Sequence, residues 1–205
     1  MNSTIETFLS QRASVRQFDP EAEMSTEQIK QILALAATAP SGNNTQPWQV
    51  VVVKNKAQQQ KLRALSFDQP QVETAAAVFL VFGDPAAYDV DTLFSYNVAN
   101  GLLTEKDEAA FKGKMKKFYA LSAAEGGTES LMLDGGLFAM NLLHVVRVFG
   151  YEAVPMRGTD FTAIKKELDL PQSWEAIMMI PVGKATASGY PKIRKDVTEF
   201  TKIIE

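Results

Sequence analysis

Two textures of apolar residues alternate along the chain. In one they recur every three or four positions among polar residues, the spacing of a helix that buries one face. In the other they run on unbroken, as in a strand covered on both faces. The helical spacing predicts a short amphipathic helix over residues 4–11, with Ile5, Phe8 and Leu9 on one side. It resumes after Ser25-Thr26-Glu27-Gln28, which can close a capping box, sets Ile29, Ile32, Leu33 and Ala36 on one face, and stops before Pro40. Further helices are predicted over 56–65, with Leu62 and Leu65 buried, and from Arg157-Gly158-Thr159-Asp160 through Leu168. Residues 130–149 are apolar nearly all round, so that helix is expected to be covered on several sides. Its Gly135-Gly136 would admit another backbone or a flat ring closely, and Gly150 suits its C-terminal cap. Apolar runs predict strands over 48–53, expected to be central, and over 75–82 and 174–182, and a short strand is predicted over 151–156.

Between these, residues 85–128 read as a helical excursion. It holds Tyr88, Leu93, Phe94 and Tyr96, then a lysine-rich amphipathic stretch over 106–120 with Phe111, Met115, Phe118 and Tyr119, and a break at Glu125-Gly126-Gly127-Thr128. No repeat, low-complexity tract or linker interrupts the chain, which is read as one domain over residues 1–205. Helices alternating with buried strands argue for an α+β or three-layer α/β architecture. Ile203 and Ile204 suggest that the C-terminal tail docks on something.

Composition narrows the chemistry. The chain has 205 residues, an apolar fraction of 46% and a net charge of -3, which suits a globular protein and argues against a general nucleic-acid surface. With no cysteine, disulfides, thiolate metal sites and cysteine nucleophiles are excluded. The N-terminus carries Glu6 and no long apolar core, so it does not read as a signal peptide. No apolar run reaches the roughly 18 residues that span a bilayer, and a soluble cytoplasmic protein is expected. The single histidine, His144, sits in the apolar 130–149 helix and reads as a packed structural residue. A chain this poor in histidine and cysteine is expected to borrow its reactive centre from a cofactor.

Three stretches offer ligand-binding chemistry. Residues 39–48 join a helix to a strand and hold Ser41, Gly42, Asn43, Asn44, Thr45 and Gln46 between Pro40 and Pro47. Their amides and hydroxyls carry no net charge, which suits a planar, polar, uncharged ligand edge as well as a capped turn. Residues 12–18 read as extended, so Arg12, Ser14 and Arg16 would share a side while Val15 points to the core. Two guanidiniums flanking a hydroxyl suit a phosphate or a carbonyl-rich ring. Lys192 and Arg194 repeat the two-apart spacing near the other end. The dinucleotide and phosphate-loop glycine motifs are both missing.

Taken in order, Arg12-x-Ser14-x-Arg16, Ala39-Pro40-Ser41-Gly42-Asn43-Asn44-Thr45-Gln46-Pro47-Trp48, Ala153-Val154-Pro155-Met156-Arg157-Gly158 and Pro191-Lys192-Ile193-Arg194 resemble the FMN-dependent nitroreductase family. The resemblance runs from about residue 5 to the C-terminus. It implies a three-layer α/β/α fold with a mixed, mainly antiparallel central sheet, and a homodimer with FMN at its interface. By resemblance, Arg12, Lys192 and Arg194 would hold the phosphate from the two ends of the chain, Ala13 and Ser14 would also bind the cofactor, and Arg16 would face the pyrimidine carbonyl. Asp68 and Gln71 would meet the pyrimidine edge and ribityl chain, although the family commonly has asparagine at the first of these. Pro155, Met156, Arg157 and Gly158 match the segment whose backbone N–H reaches flavin N5, although an acid is commoner at Arg157. Pro40, Ser41, Gly42, Asn43 and Gln46 would contact the partner subunit's flavin, and Phe118 and Tyr119 would wall the substrate site.

The implied activity is reduction of nitroaromatics, quinones or similar small acceptors by NAD(P)H, in a ping-pong sequence with the flavin as the reactive centre and no protein acid or base. The nicotinamide would be held transiently by stacking. Alternatives are a module that binds or sequesters flavin without efficient turnover, and a family member turned to dehydrogenation or flavin fragmentation. No metal site, nucleic acid or membrane partner is expected.

Overall fold

The computed structural model describes residues 3–121 and 126–205. In chain order its elements are α1 (Ser3–Gln11), α2 (Thr26–Ala36), β1 (Trp48–Val53), α3 (Lys56–Ala64), α4 (Gln71–Thr74), β2 (Ala77–Gly83), α5 (Val90–Ala99), α6 (Glu108–Leu121), α7 (Thr128–Val148), β3 (Glu152–Ala153), α8 (Phe161–Glu167) and β4 (Glu175–Gly183). The strands form one sheet in the order β1-β2-β4-β3, and each neighbouring pair is antiparallel. The α+β reading and the mainly antiparallel sheet agree with this.

β2 is central and wholly buried, because alternate side chains enter two cores. Ala77, Phe79 and Val81 join Ile180 and Val182 beneath α2 and α7. Val78, Leu80 and Phe82 join Met179, Leu62 of α3 and Ile164 of α8 on the other face. The layers are therefore helix, sheet, helix. β1 was expected to be central, but it lies at the edge and pairs only with β2. Its run is apolar apart from Gln49 because both faces are covered: Trp48, Val50 and Val52 pack in one core, and Val51 and Val53 in the other. An apolar run reports covered faces, not paired edges. β3 is shorter than the predicted 151–156 strand: the Val154 N–H still donates to Pro181 O at 3.2 Å, but Pro181 has no N–H to return the bond. Pairing returns only as a bridge between Met156 and Met179.

The capping box at Ser25 and Gln28 forms as expected. α7 is the core helix, packed on α2 and all four strands. By length and composition it is apolar enough to cross a membrane, contrary to the sequence expectation, yet half of it is buried within this fold. Gly135 faces the sheet rather than a backbone or ring: a Cβ there would lie 2.0 Å from Ile177 Cδ1. Ile177 is at the bulge where β2 and β4 shift register. Gly150 takes a φ of 72°, ending α7 in the left-handed turn that glycine tolerates best.

The excursion is helical as expected. Phe94 and Phe111 pack with ring centres 5.8 Å apart, and Lys112 ties α6 to Asp91 of α5 at 2.5 Å. Glu125, part of the predicted break, lies outside the described residues. Beyond Tyr190 the tail is exposed throughout, with Ile203 80% and Ile204 85% accessible, so it docks on nothing within its own chain.

Candidate functional site

The two ends of the chain lie side by side. The Val15 N–H donates to Ala153 O at 3.1 Å, and its side chain is buried as the alternation predicts. Phe18 bridges Ala185, the Asp19 N–H donates to Lys184 O at 2.9 Å, and the Thr186 N–H to Gln17 O at 3.0 Å. Lys192 then reaches back, its ammonium donating to the carbonyls of Ser10 and Arg12, the latter at 3.0 Å. Gly189 lies so close that a Cβ there would come 2.8 Å from Ala13 Cβ. Arg16 donates to Ser14 O at 3.3 Å and lies 5.1 Å from the centre of the Tyr190 ring.

A cleft of about 790 Å³ opens along this seam, lined by Ala13, Val15, Glu152, Tyr190 and Lys192 among others. The guanidiniums of Arg12 and Arg16 do not line it, because residues two apart share the opposite side of the extended segment. Arg194 is exposed and donates to its own neighbour's carbonyl, Ile193 O, at 2.8 Å. So Lys192 joins Arg12 through a backbone carbonyl, while the three cations do not converge within one chain. Arg12 is half-buried, and its Nη1 is buried with no hydrogen-bond partner. An unspent cationic donor of this kind suits an anionic ligand group.

A second group forms over β4. Gln71 is buried, and its amide donates to Gln69 Oε1 and toward Met156 Sδ at 3.6 Å. Met156 is buried, Pro155 is half-buried, and Arg157 and Gly158 are exposed, the latter beside the Phe67 ring. Asp68 is not turned to this group. Its carboxylate pairs with Arg63 at 2.8 Å, which follows from its charge: a carboxylate seeks the nearest guanidinium, where an amide would not. Phe67 and Asp68 both have positive φ, 52° and 54°.

The 39–48 loop lies elsewhere, against α7. Residues Gly42–Asn44 form a 3₁₀ turn, and Asn43, Asn44 and Gln46 have φ of 51°, 58° and 48°. Pro40, Ser41, Gly42 and Asn43 line a cavity of about 320 Å³ together with Phe118 and Tyr119. The expected substrate wall and the expected ligand loop are therefore brought together. Asp134 of α7 also lines it, 4% exposed. Its Oδ1 accepts from the Gly42 N–H at 3.0 Å, and its Oδ2 accepts from Tyr88 OH at 2.7 Å and Thr45 Oγ1 at 3.4 Å. Burial, then the Asp134 carboxylate, push the Tyr88 phenol above its ordinary range. Sequence reasoning missed Asp134. Its only signal is the one acid in the largely apolar stretch from Leu131 to Val146.

His144 is packed 5.9 Å from the Phe8 ring, as a structural histidine should be. Burial, then the Arg147 and Arg12 charges, lower its pKa. Arg147 itself donates to Phe8 O at 2.6 Å and to Glu152 at 3.3 Å. No cluster of three metal-ligating side chains occurs among the described residues.

Comparison with known proteins gives a consistent set of likenesses. Residues 9–184 match the model of the Nitroreductase family. A crystal structure of a nitroreductase-like protein from Streptococcus mutans superposes with a TM-score of 0.96 at 51% identity, covering 100% of both chains. A protein of Exiguobacterium sibiricum, described as a nitroreductase and crystallised with FMN, superposes with a TM-score of 0.87 at 30% identity, covering 97% of this chain and 96% of that one. YdgI of Bacillus subtilis, described as an NAD(P)H nitroreductase, is 32% identical over 186 residues, covering 89% of each chain.

Proposed function

The chain belongs to the nitroreductase family, and on that premise we propose that it is an FMN-dependent oxidoreductase, drawing on NAD(P)H to reduce a small acceptor such as a nitroaromatic or quinone. The observation that carries this reading is Arg12 Nη1, a buried cationic donor with nothing to bond, at the seam where both chain ends meet. A guanidinium with one unused donor, on the residue whose carbonyl Lys192 holds, fits the phosphate of FMN. The FMN complex of the Exiguobacterium sibiricum relative supports the same cofactor.

When bound, FMN supplies a ring that accepts and returns a hydride, chemistry for which this chain has no thiol and one packed histidine. The chain's own residues bind and orient. Arg12, Ser14 and Lys192 hold the phosphate end, with Arg194 joining once the exposed tail is ordered. Arg16 would set its positive charge beside the ring's carbonyl edge, where a cation favours the reduced form. Gln71 and the backbone of Pro155–Gly158 bound the polar edge. Asp68 is left out of this assignment because Arg63 already holds it. The amides and hydroxyls of Ser41–Gln46 meet the cofactor of a second copy, and Phe118 and Tyr119 exclude water from the acceptor. Donor and acceptor use the same walls in turn, since the chain has no separate dinucleotide motif.

The test is an absorbance spectrum of the purified protein, followed by anaerobic titration with NADPH and then NADH. A yellow protein whose flavin band bleaches with either reductant, and returns when a quinone is added, is expected. A colourless protein that takes up no added FMN overturns the reading.

A further inference from the structure

Asp134 is a buried carboxylate with three hydrogen-bond donors and no cation among its partners. A charge taken out of water without a counter-ion is costly unless every lone pair is used. Here the lone pairs are spent on one region. Gly42 and Thr45 bracket the two asparagines in the left-handed conformation, and Tyr88 closes the 3₁₀ turn, Pro85–Tyr88, that opens the excursion. Within the loop, the Gln46 N–H donates to Ser41 Oγ at 2.9 Å and the Asn44 N–H to Ser41 O at 3.1 Å, bonds that curl it on itself but do not hold it to the body. Gln46 Nε2 reaches Tyr96 OH at 3.2 Å on the exposed side. On the buried side the anchor is Asp134.

Asparagine tolerates this backbone region better than most residues and glutamine does not, so a loop with three consecutive or near-consecutive residues there is favoured by its sequence and still needs its surroundings to hold it. The Gly42 N–H is the decisive link. Hydroxyls of Thr45 and Tyr88 can turn to donate or accept, but an N–H only donates. Burial raises the Tyr88 pKa and so keeps that hydroxyl protonated and donating.

We propose that Asp134 is a positioning residue: through the Gly42 N–H and Thr45 it fixes Gly42–Gln46 in the conformation that meets the flavin, and through Tyr88 it ties that loop to the excursion facing the same cavity. This inference rests on the preceding assignment of the loop to the flavin site. Loop and excursion then keep one spacing, set by a single carboxylate on α7.

Asp134→Leu, Asp134→Ser and Asp134→Asn separate the parts. Leu has a similar shape with no acceptor, Ser is too short to reach Gly42, and Asn keeps one oxygen for the Gly42 N–H. Amide exchange across residues 41–46 is measured without FMN, and FMN dissociation by fluorescence titration. The Leu and Ser variants should exchange roughly tenfold faster in this loop, the loss of one charge-assisted bond, and bind FMN weaker by a similar factor. Exchange in β2 should stay unchanged, and Asn should recover most of both losses. Wild-type exchange in the Ser variant overturns the proposal, and so does a loosened loop with unaltered FMN affinity, which would make Asp134 structural only. A wild-type protein that takes no FMN defeats the flavin reading instead, and loop exchange then still decides whether Asp134 is the anchor.

Discussion

At the scale of single residues, the site side chains that stand out do so by being incompletely matched. Arg12 buries a donor with no partner, which costs free energy in the protein without ligand and yields a charge-assisted bond once an anion arrives. Stability and binding should therefore separate at this position. Arg12→Met keeps the apolar stem and removes the charge. Its thermal midpoint without FMN should equal or exceed that of the wild type, while FMN affinity falls by about 1.5–3 kcal/mol, roughly tenfold to a hundredfold. Calorimetry and fluorescence titration read the two effects, and equal FMN affinity would remove Arg12 from the site. His144 gives a prediction of definite sign. Its pKa in the folded chain is lowered from the ordinary 6.5 by burial and by Arg147 and Arg12, so the unfolded chain takes up the proton first. Stability from this group is complete above about pH 6.5 and is lost as pH falls through the folded-state value. His144→Gln should lose less thermal stability between pH 7 and pH 5 than the wild type. Identical losses would mean that His144 does not titrate differently on folding.

At the scale of elements, packing decides which glycines matter. Gly135 sits where α7 crosses the bulge of β4, and a methyl there meets Ile177, itself 5% exposed with little room to move. Gly113 of α6 has nothing within 4 Å of the position its Cβ would take. Gly135→Ala should thus destabilise by about 1–3 kcal/mol through overpacking, and Gly113→Ala should stabilise by about 0.5–1 kcal/mol through helix propensity. Chemical denaturation of both variants measures the contrast, and the same sign in both would contradict it. This is also the scale at which the sequence was most legible. Period and caps located the helices, because Ser25, Gln28 and Gly150 act on backbone groups a few residues away. The buried strands were legible from their apolar runs. Edge position was not, because the run in β1 records cover on its faces by residues far along the chain. Nor was Asp134, whose partner Gly42 is 92 residues distant. The pairing of Arg12 with Lys192 near the two chain ends was legible as two basic motifs, although their contact runs through the Arg12 carbonyl. That Asp68 would be taken by Arg63 was not, since the turn that joins them depends on two residues with positive φ.

At the scale of the whole molecule, the chain leaves much apolar surface in water. Leu133, Leu137 and Met140 form an exposed row on α7, at the spacing of one helical face. Ile5 and Leu9 are exposed on α1, and Tyr190, Ile193, Val197, Phe200, Ile203 and Ile204 on the tail. An exposed apolar row of this kind marks an interaction surface, and the tail has neither strand pairing nor core contact to hold it in place. A second copy of the chain is the partner we propose for both, because an isologous interface would cover the same row on each protomer. It would also bring the 39–48 loop of one copy to the paired chain ends of the other, two parts of the site that lie apart in one chain. The protein should therefore run in solution with twice the chain's 22.6 kDa, measured by light scattering coupled to gel filtration. Removing residues 197–205 takes away four exposed apolar side chains and spares Lys192, Arg194 and every element of the sheet. That truncated chain should keep its far-ultraviolet circular dichroism while its dimer weakens and its FMN affinity drops together with it. A truncated protein that stays dimeric at nanomolar concentration would show that α7 alone holds the copies together. A full-length protein that is monomeric with FMN bound would mean that each chain completes its own site and that the loop serves another ligand.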